Sequence, residues 1–178
     1  MAMVITLLLV MLFFSASAQA GASRLDSNAD EIRSTFMFHI ANFTKFPDQI
    51  LISQKLTFCF MEDESSVIHK EFSVANIVRL QNLEVVGRKV TEVSDLQRIS
   101  CQLLFVSAAK ESPEVFAMLE ALNNRTVSIG ETRNFLKKGG LISLEEQQSK
   151  IQIMINQALY ANSLMKFRSP LLKHAKFR

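Results

Sequence analysis

Few side chains in this sequence have the type and spacing for chemistry. Two cysteines, Cys59 and Cys101, stand 42 positions apart in a chain of 178 residues. They are not in C-x-x-C spacing, so a thioredoxin-like exchange site is not supported. At that separation they either close one covalent loop or remain two buried thiols. The three histidines, His39, His69 and His174, lie about thirty and a hundred residues apart with no metal-ligand spacing between them. His39, one residue from Ile40, reads as a packed or surface side chain. The acidic trio Glu62-Asp63-Glu64 follows an apolar run, where response-regulator receivers bind Mg²⁺. Such a site needs a second carboxylate at the end of a central strand, and the next apolar run ends in Val106-Ser107. There is no G-x-S-x-G elbow, no phosphate-cradling G-x-x-x-x-G-K-[ST] loop and no G-x-G-x-x-G turn. The expectation is a protein that is not an enzyme and holds no metal or cofactor.

The elements that position these groups begin after a leader. Met1 to Phe14 is apolar apart from Thr6, and Ser15-Ala16-Ser17-Ala18-Gln19-Ala20 follows. The run falls short of the ~20 residues that cross a bilayer as a helix. Its small residues fit the A-x-A pattern of a signal peptidase site. The reading is a signal peptide over 1–20 and a single domain over 21–178, although no Lys or Arg precedes the apolar run and a retained anchor is the alternative. No cysteine follows the small residues, which excludes a lipoprotein. Export places Cys59 and Cys101 in an oxidising compartment, where an even count usually pairs. A Cys59–Cys101 disulfide is therefore expected, closing a loop worth roughly 4 kcal/mol in the chain-entropy model.

Composition excludes more than it assigns. Charged residues are 21% of the chain, with only 3 Pro and 5 Gly, which argues against disorder. With no Trp and one Tyr, a carbohydrate-stacking platform is not expected. The net charge of +3 is unevenly placed. Of twenty basic and seventeen acidic residues, six basic ones (Lys150, Lys166, Arg168, Lys173, Lys176, Arg178) and no acidic one follow Glu146. The chain up to there has an acidic excess of three. A basic tail could approach anionic lipid or an acidic partner; a solvated last helix with cations at its favourable dipole end is the preferred reading. Nucleic acid is not an expected partner, since no aromatic–basic interleaving occurs.

Ser27 or Asp30 can cap a helix whose stripe Ile32, Phe36, Ile40, Phe43 steps at helical spacing and stops before Pro47. Lys55 to Met61 has strand length and carries Cys59. A helix is predicted over Val67 to Ile77, then extended chain from Leu83 to Val93 broken at Gly87. Cys101 to Ser107 reads as a strand covered on both faces. Pro113 opens a helix carrying Val115, Phe116, Leu119 and Leu122. Thr126 to Ile129 is a strand, and Asn134 to Lys138 a helical turn stopped by Gly139-Gly140. Leu141 to Leu144 and Ile151 to Ile155 pair as an antiparallel hairpin. Asn156 caps a final helix, and Pro170 precedes a last short one. Strands alternating with helices predict one three-layer αβα domain with a largely parallel sheet and a C-terminal antiparallel hairpin.

Four segments in this order resemble the YfiR/HmsC-like family of bacterial periplasmic proteins. They are MFHIANFTKFPD (Met37 to Asp48, with Phe43, Phe46 and Pro47), LTFCF around Cys59, CQLLFVS from Cys101, and the stretch from Thr126 to Ala175. The resemblance implies a periplasmic repressor that binds the sensor domain of an inner-membrane diguanylate cyclase, lowering cyclic di-GMP and biofilm formation. It also implies an OmpA-like outer-membrane protein as a second partner and release under envelope redox stress; a homodimer stays open. Some members have a second cysteine pair that this chain lacks, so a two-disulfide switch cannot operate here. The candidate contact elements are the basic tail and the hairpin side chains Ile151, Ile153 and Ile155, whose alternation core packing also explains. The other reading is a periplasmic small-ligand-binding protein feeding a membrane sensor kinase, with its site in the crevice at the strand ends.

Overall fold

A computed structural model of the chain describes residues 19–51, 55–63, 68–72, 79–122, 124–147 and 150–178. Of the expected leader only Gln19 and Ala20 fall among them, and these begin the first helix. The chain runs α1 (Gln19–Asn42), β1 (Thr44–Lys45), a 3-10 turn, β2 (Lys55–Met61), α2 (Ile68–Glu71), β3 (Arg79–Leu80) and β4 (Leu83–Lys89). It continues α3 (Asp95–Arg98), β5 (Leu103–Val106), α4 (Pro113–Leu122), β6 (Val127–Gly130), α5 (Arg133–Lys137) and β7 (Ile142–Gln147). The last elements are β8 (Lys150–Ile155), α6 (Gln157–Asn162), β9 (Lys166–Phe167), α7 (Ser169–His174) and β10 (Ala175–Phe177).

Among the described residues, eight strands form one sheet in the order β10-β8-β7-β6-β5-β2-β4-β3. β4, β2, β5, β6 and β7 run parallel; β3 joins β4 and β8 joins β7 antiparallel. A separate antiparallel ribbon pairs β1 with β9. This is the expected largely parallel α/β sheet with its antiparallel hairpin.

Strand alternation divides the interior in two. Leu56, Phe58 and Phe60 of β2, with Leu103, Phe105, Val127, Ile129, Ile142 and Leu144, face a core closed by Met37, Ile40 and Ala41 of α1 and by Ile68 and Phe72. Cys59, Met61, Leu104 and Val106 face the opposite core, closed by Leu96 of α3, Val115 and Leu119 of α4, and Phe135 of α5. β2 and β5 are therefore covered on both sides, which is why each reads as an unbroken apolar run. Fully burying side chains such as Phe58, Phe60 and Phe105 contributes about 1.5–3 kcal/mol apiece.

Several expected elements differ in detail. Asp30 does not cap α1, which begins at Gln19, and Ile32 is 41% exposed. The buried side of α1 runs instead through Asp30, Ser34, Met37, Ile40 and Ala41. Ser34 is tolerated there because its hydroxyl donates to the Glu31 carbonyl at 2.8 Å. The strand over Leu83–Lys89 runs straight through Gly87 rather than breaking at it. Gly87 N–H donates to the Phe72 carbonyl at 2.9 Å, and a Cβ there would lie 2.7 Å from that oxygen. The glycine marks a close backbone approach within a strand. Of the helix predicted over Val67–Ile77, Ile68–Glu71 is helical and Phe72 turns out of it; Val67 and residues 73–77 lie outside the described residues. The hairpin ladder extends beyond the strand bounds expected from the sequence, adding Glu145 to Gln147 on one side and Lys150 on the other.

Candidate functional site

The covalent feature comes first. Gln102 N–H donates to the Thr57 carbonyl at 3.0 Å, extending the β2–β5 ladder back towards Cys101. The Gln102 amide then ties both neighbours, accepting from Thr57 N–H at 2.7 Å and donating to the Ile50 carbonyl at 2.9 Å. This anchoring holds Cys101 beside Cys59, and the two form a disulfide with Cα atoms 5.8 Å apart. Cys59 is fully buried and Cys101 nearly so, within the core on the α3–α4 side. The alternative of two buried thiols is thereby excluded. A groove of about 920 Å³ opens beside Cys101 at the amino ends of β5 and β6, lined by Val93, Leu96, Ile99, Met118 and Leu122. Glu114 stands on its rim, its carboxyl held below the usual range by a hydrogen bond from Ser112 and by its own backbone N–H.

Polar groups gather at the other, carboxyl, end of the sheet. The winding reverses between β2 and β5: β4 lies on one side of β2, and the chain crosses back to place β5 on the other. In open α/β sheets ligands bind at the strand carboxyl ends where the order reverses. Alternation points Glu62, Ser107 and Glu131, which follow β2, β5 and β6, to the α1 side. The buried Glu62 carboxylate meets His69 Nδ1. Glu131 accepts from Ala108 N–H at 2.8 Å and pairs with Arg33 of α1, which also contacts Asp30 at 3.2 Å. The Ser107 hydroxyl is buried, without a hydrogen-bond partner among the described residues.

Glu62 and His69 supply an acid and a base in contact, but Ser107 is not hydrogen-bonded to His69, so no nucleophile–base relay is assembled. Among the described residues no three His, Cys, Asp or Glu side chains are grouped to hold a metal ion. The sequence pointed to Glu62 through the acidic trio, and to Ser107 as the end of an apolar strand. It gave no sign that Arg33 and Glu131, almost a hundred residues apart, would meet.

The hairpin isoleucines lie differently from the half-exposed row expected. Ile153 is 6% exposed and Ile155 is fully buried, both in the core with α1, and Ile151 is half-buried against it. β8 is not an edge: β10 pairs parallel to it, Ala175 opposite Ile153 and Phe177 opposite Ile155. Met154 on the other face is buried as well. Of the three, only Ile151 offers surface to another molecule.

Gly139-Gly140 ends α5 with Gly139 at φ 106°, the left-handed stop expected of a double glycine. Gly140 and Gly130 clasp the Phe135 ring, leaving no space for a Cβ at either position.

Fold and cross-link together define a disulfide-clamped α/β protein. The chain belongs to the YfiR/HmsC-like family, whose model matches residues 30–176. Membership points to regulation rather than catalysis, and to the periplasmic control of diguanylate cyclase signalling. No helix among the described residues is long and apolar enough to cross a membrane. No curated protein matches the chain. The chain is similar to a solved structure, a conserved domain protein from Vibrio cholerae O1 biovar El Tor, at 10% identity and a TM-score of 0.47. The alignment covers 72% of this chain and 56% of that one.

Proposed function

We propose that this protein binds the periplasmic sensor domain of an inner-membrane diguanylate cyclase and holds the enzyme inactive, lowering cyclic di-GMP and biofilm formation. The family match over residues 30–176 carries this reading. A body clamped across its central strands suits such a role. An inhibitor acts through differential affinity for two states of its target, and a rigid surface maintains that difference. The contact surface takes in the exposed margin of the hairpin at Ile151, since Ile153 and Ile155 are core residues. An OmpA-like outer-membrane protein competing for the same body would relieve inhibition. The test is co-purification with cyclase-containing membranes, followed by a cyclase assay with and without added protein and reductant. Inhibition by the protein, relieved on reduction, is expected; unchanged cyclic di-GMP synthesis refutes the reading.

One observation favours a second reading, a periplasmic small-ligand-binding protein feeding a membrane sensor kinase. The Ser107 hydroxyl, buried and without a hydrogen-bond partner among the described residues, follows β5 where Glu62 follows the neighbouring β2, at the point where the sheet order reverses. Under this reading a small polar molecule completes the hydrogen bonding of Ser107. Ser107→Ala would abolish ligand-induced thermal stabilisation and leave cyclase inhibition untouched, which separates the two.

A further inference from the structure

We propose that the carboxyl-terminal edge of the fold is a docking surface for an anionic lipid bilayer, a role independent of the cyclase reading. The β1–β9 ribbon carries the first observation. Its register sets Lys45 directly opposite Lys166, and both are exposed. Like charges directly opposite across an antiparallel pair are destabilising. No carboxylate among the described residues pairs with either lysine. The fold thus holds two cations together and leaves their field for something outside the chain.

The field extends past the ribbon. Arg168 follows directly, its guanidinium donating to the Gln81 side-chain oxygen at 3.2 Å and paired with no carboxylate among the described residues. Lys173 on α7 and Lys176 on β10 are exposed and also lack a carboxylate partner among the described residues. Arg178 alone in this stretch is neutralised, by Glu145 at 3.3 Å. The chain has no Asp or Glu after Glu146, so the carboxyl-terminal stretch brings no acidic side chain of its own to this edge.

Apolar groups sit within the same edge. Lys166 Nζ lies 5.4 Å above the Tyr160 ring, and Tyr160 in turn lies 5.9 Å from Phe177. Phe177 is 43% exposed and Leu164 is 41% exposed. Aromatic and aliphatic side chains interspersed with lysine suit the boundary between headgroups and acyl chains. The choice of cation favours lipid over a protein partner. Lysine dominates the unpaired set, and lysine is depleted at protein interfaces, where the arginine fork is preferred. A compact ammonium on a flexible stem suits a diffuse anionic plane. The acidic excess elsewhere in the chain gives the molecule a charge asymmetry that turns this edge towards such a plane.

Co-sedimentation of the secreted protein with phosphatidylglycerol-containing vesicles, against pure phosphatidylcholine vesicles, tests the proposal. Binding to the former only, weakened by high salt, is expected. Lys166→Gln should lower the vesicle partition constant about five-fold, the contribution of one cation near an anionic surface. Lys45→Glu should lower it further while holding or raising the melting temperature, because it places a carboxylate opposite Lys166. Loss of binding in that variant cannot then be ascribed to misfolding. Equal binding to both vesicle types, no binding to either, or undiminished binding by Lys45→Glu overturns the proposal. So does displacement by inorganic phosphate at matched ionic strength, which would mark a small-anion site, and so does capture by an acidic protein domain without vesicle binding.

Discussion

Replacing Cys59 and Cys101 together with alanine removes the one covalent cross-link and leaves both strands otherwise intact. The bond closes a loop of 42 residues, and releasing it returns about 4 kcal/mol of conformational freedom to the unfolded chain. Both sulfurs are buried, so shortening the side chains adds a smaller packing loss of the same sign. In a domain of this size each kcal/mol moves the melting temperature by about 2–4 °C, so a fall of about 8–16 °C is expected. Thermal melting followed by far-UV circular dichroism measures it, with urea unfolding as the second readout. The urea slope should rise, because an unfolded chain without the loop exposes more surface. Reduction of the parent protein should reproduce the variant's melting temperature. A loss below about 1 kcal/mol would refute the loop-entropy argument. A full stability loss with unchanged cyclase inhibition would refute the link between cross-link and regulation.

Four other outcomes follow from particular contacts. Gly140→Ala, which drives a Cβ into the Phe135 ring, should cost about 1–3 kcal/mol in urea unfolding; pairing it with Phe135→Leu should recover part of that loss. Ile153→Asp should abolish cooperative unfolding, as a carboxylate in the core must, whereas Ile151→Asp should fold and weaken co-purification with the cyclase. Thr132→Ala removes the hydroxyl that accepts from Phe135 N–H at 2.9 Å and donates to Glu111; a loss of about 1 kcal/mol in thermal melts is expected. Asp95 is held below its ordinary range chiefly by the Arg98 side chain, with help from Glu92 N–H. Its small contribution is present above the ordinary carboxylate range and lost as pH falls, and Arg98→Gln should raise its midpoint in an NMR titration.

What the sequence made legible follows from where each signal resides. β2 and β5 were readable because strands buried on both faces need apolar side chains at nearly every position. The α5 stop was readable because only glycine suits a left-handed residue followed by a ring contact. The burial register of α1 was not, since its phenylalanines lie at the margin while Asp30 and Ser34 face inward. β10 gave no local sign at all. Three residues, Ala175-Lys176-Phe177, become a strand by pairing parallel with Ile153 to Ile155 of β8, and the pairing is continued by Arg178 N–H donating to the Ile155 carbonyl at 2.9 Å and Gln157 N–H to the Arg178 carbonyl at 2.8 Å. That omission left the hairpin isoleucines looking exposed. The groups at the strand ends were individually visible, but their convergence depends on the order in which the strands assemble, which no local spacing records.

The position of the disulfide within this order gives it more consequence than its loop length alone. β2 and β5 are spatial neighbours, yet the chain between them leaves to build β3 and β4 on the far side of β2 before returning. Strands on either side of such a reversal lack the direct helical crossover that joins β5 to β6, so their adjacency rests on ladder hydrogen bonds and packing. The Cys59–Cys101 bond supplies a covalent link at that junction. The segment it encloses is the β3–β4 flank with α2 and α3, while α1, β6, β7, β8 and the basic edge lie outside the loop. Cutting the bond therefore returns freedom to one flank and to the β2–β5 seam, at whose carboxyl end Glu62 and Ser107 stand. The edge bearing Lys45 and Lys166 keeps its contacts through β1, β9 and β10, but Gln81 of the enclosed segment also reaches it, donating to the Thr44 carbonyl at 3.0 Å and accepting from Arg168 at 3.2 Å. A redox change thus acts first on the enclosed flank and the β2–β5 seam, and Gln81 couples that flank to the basic edge.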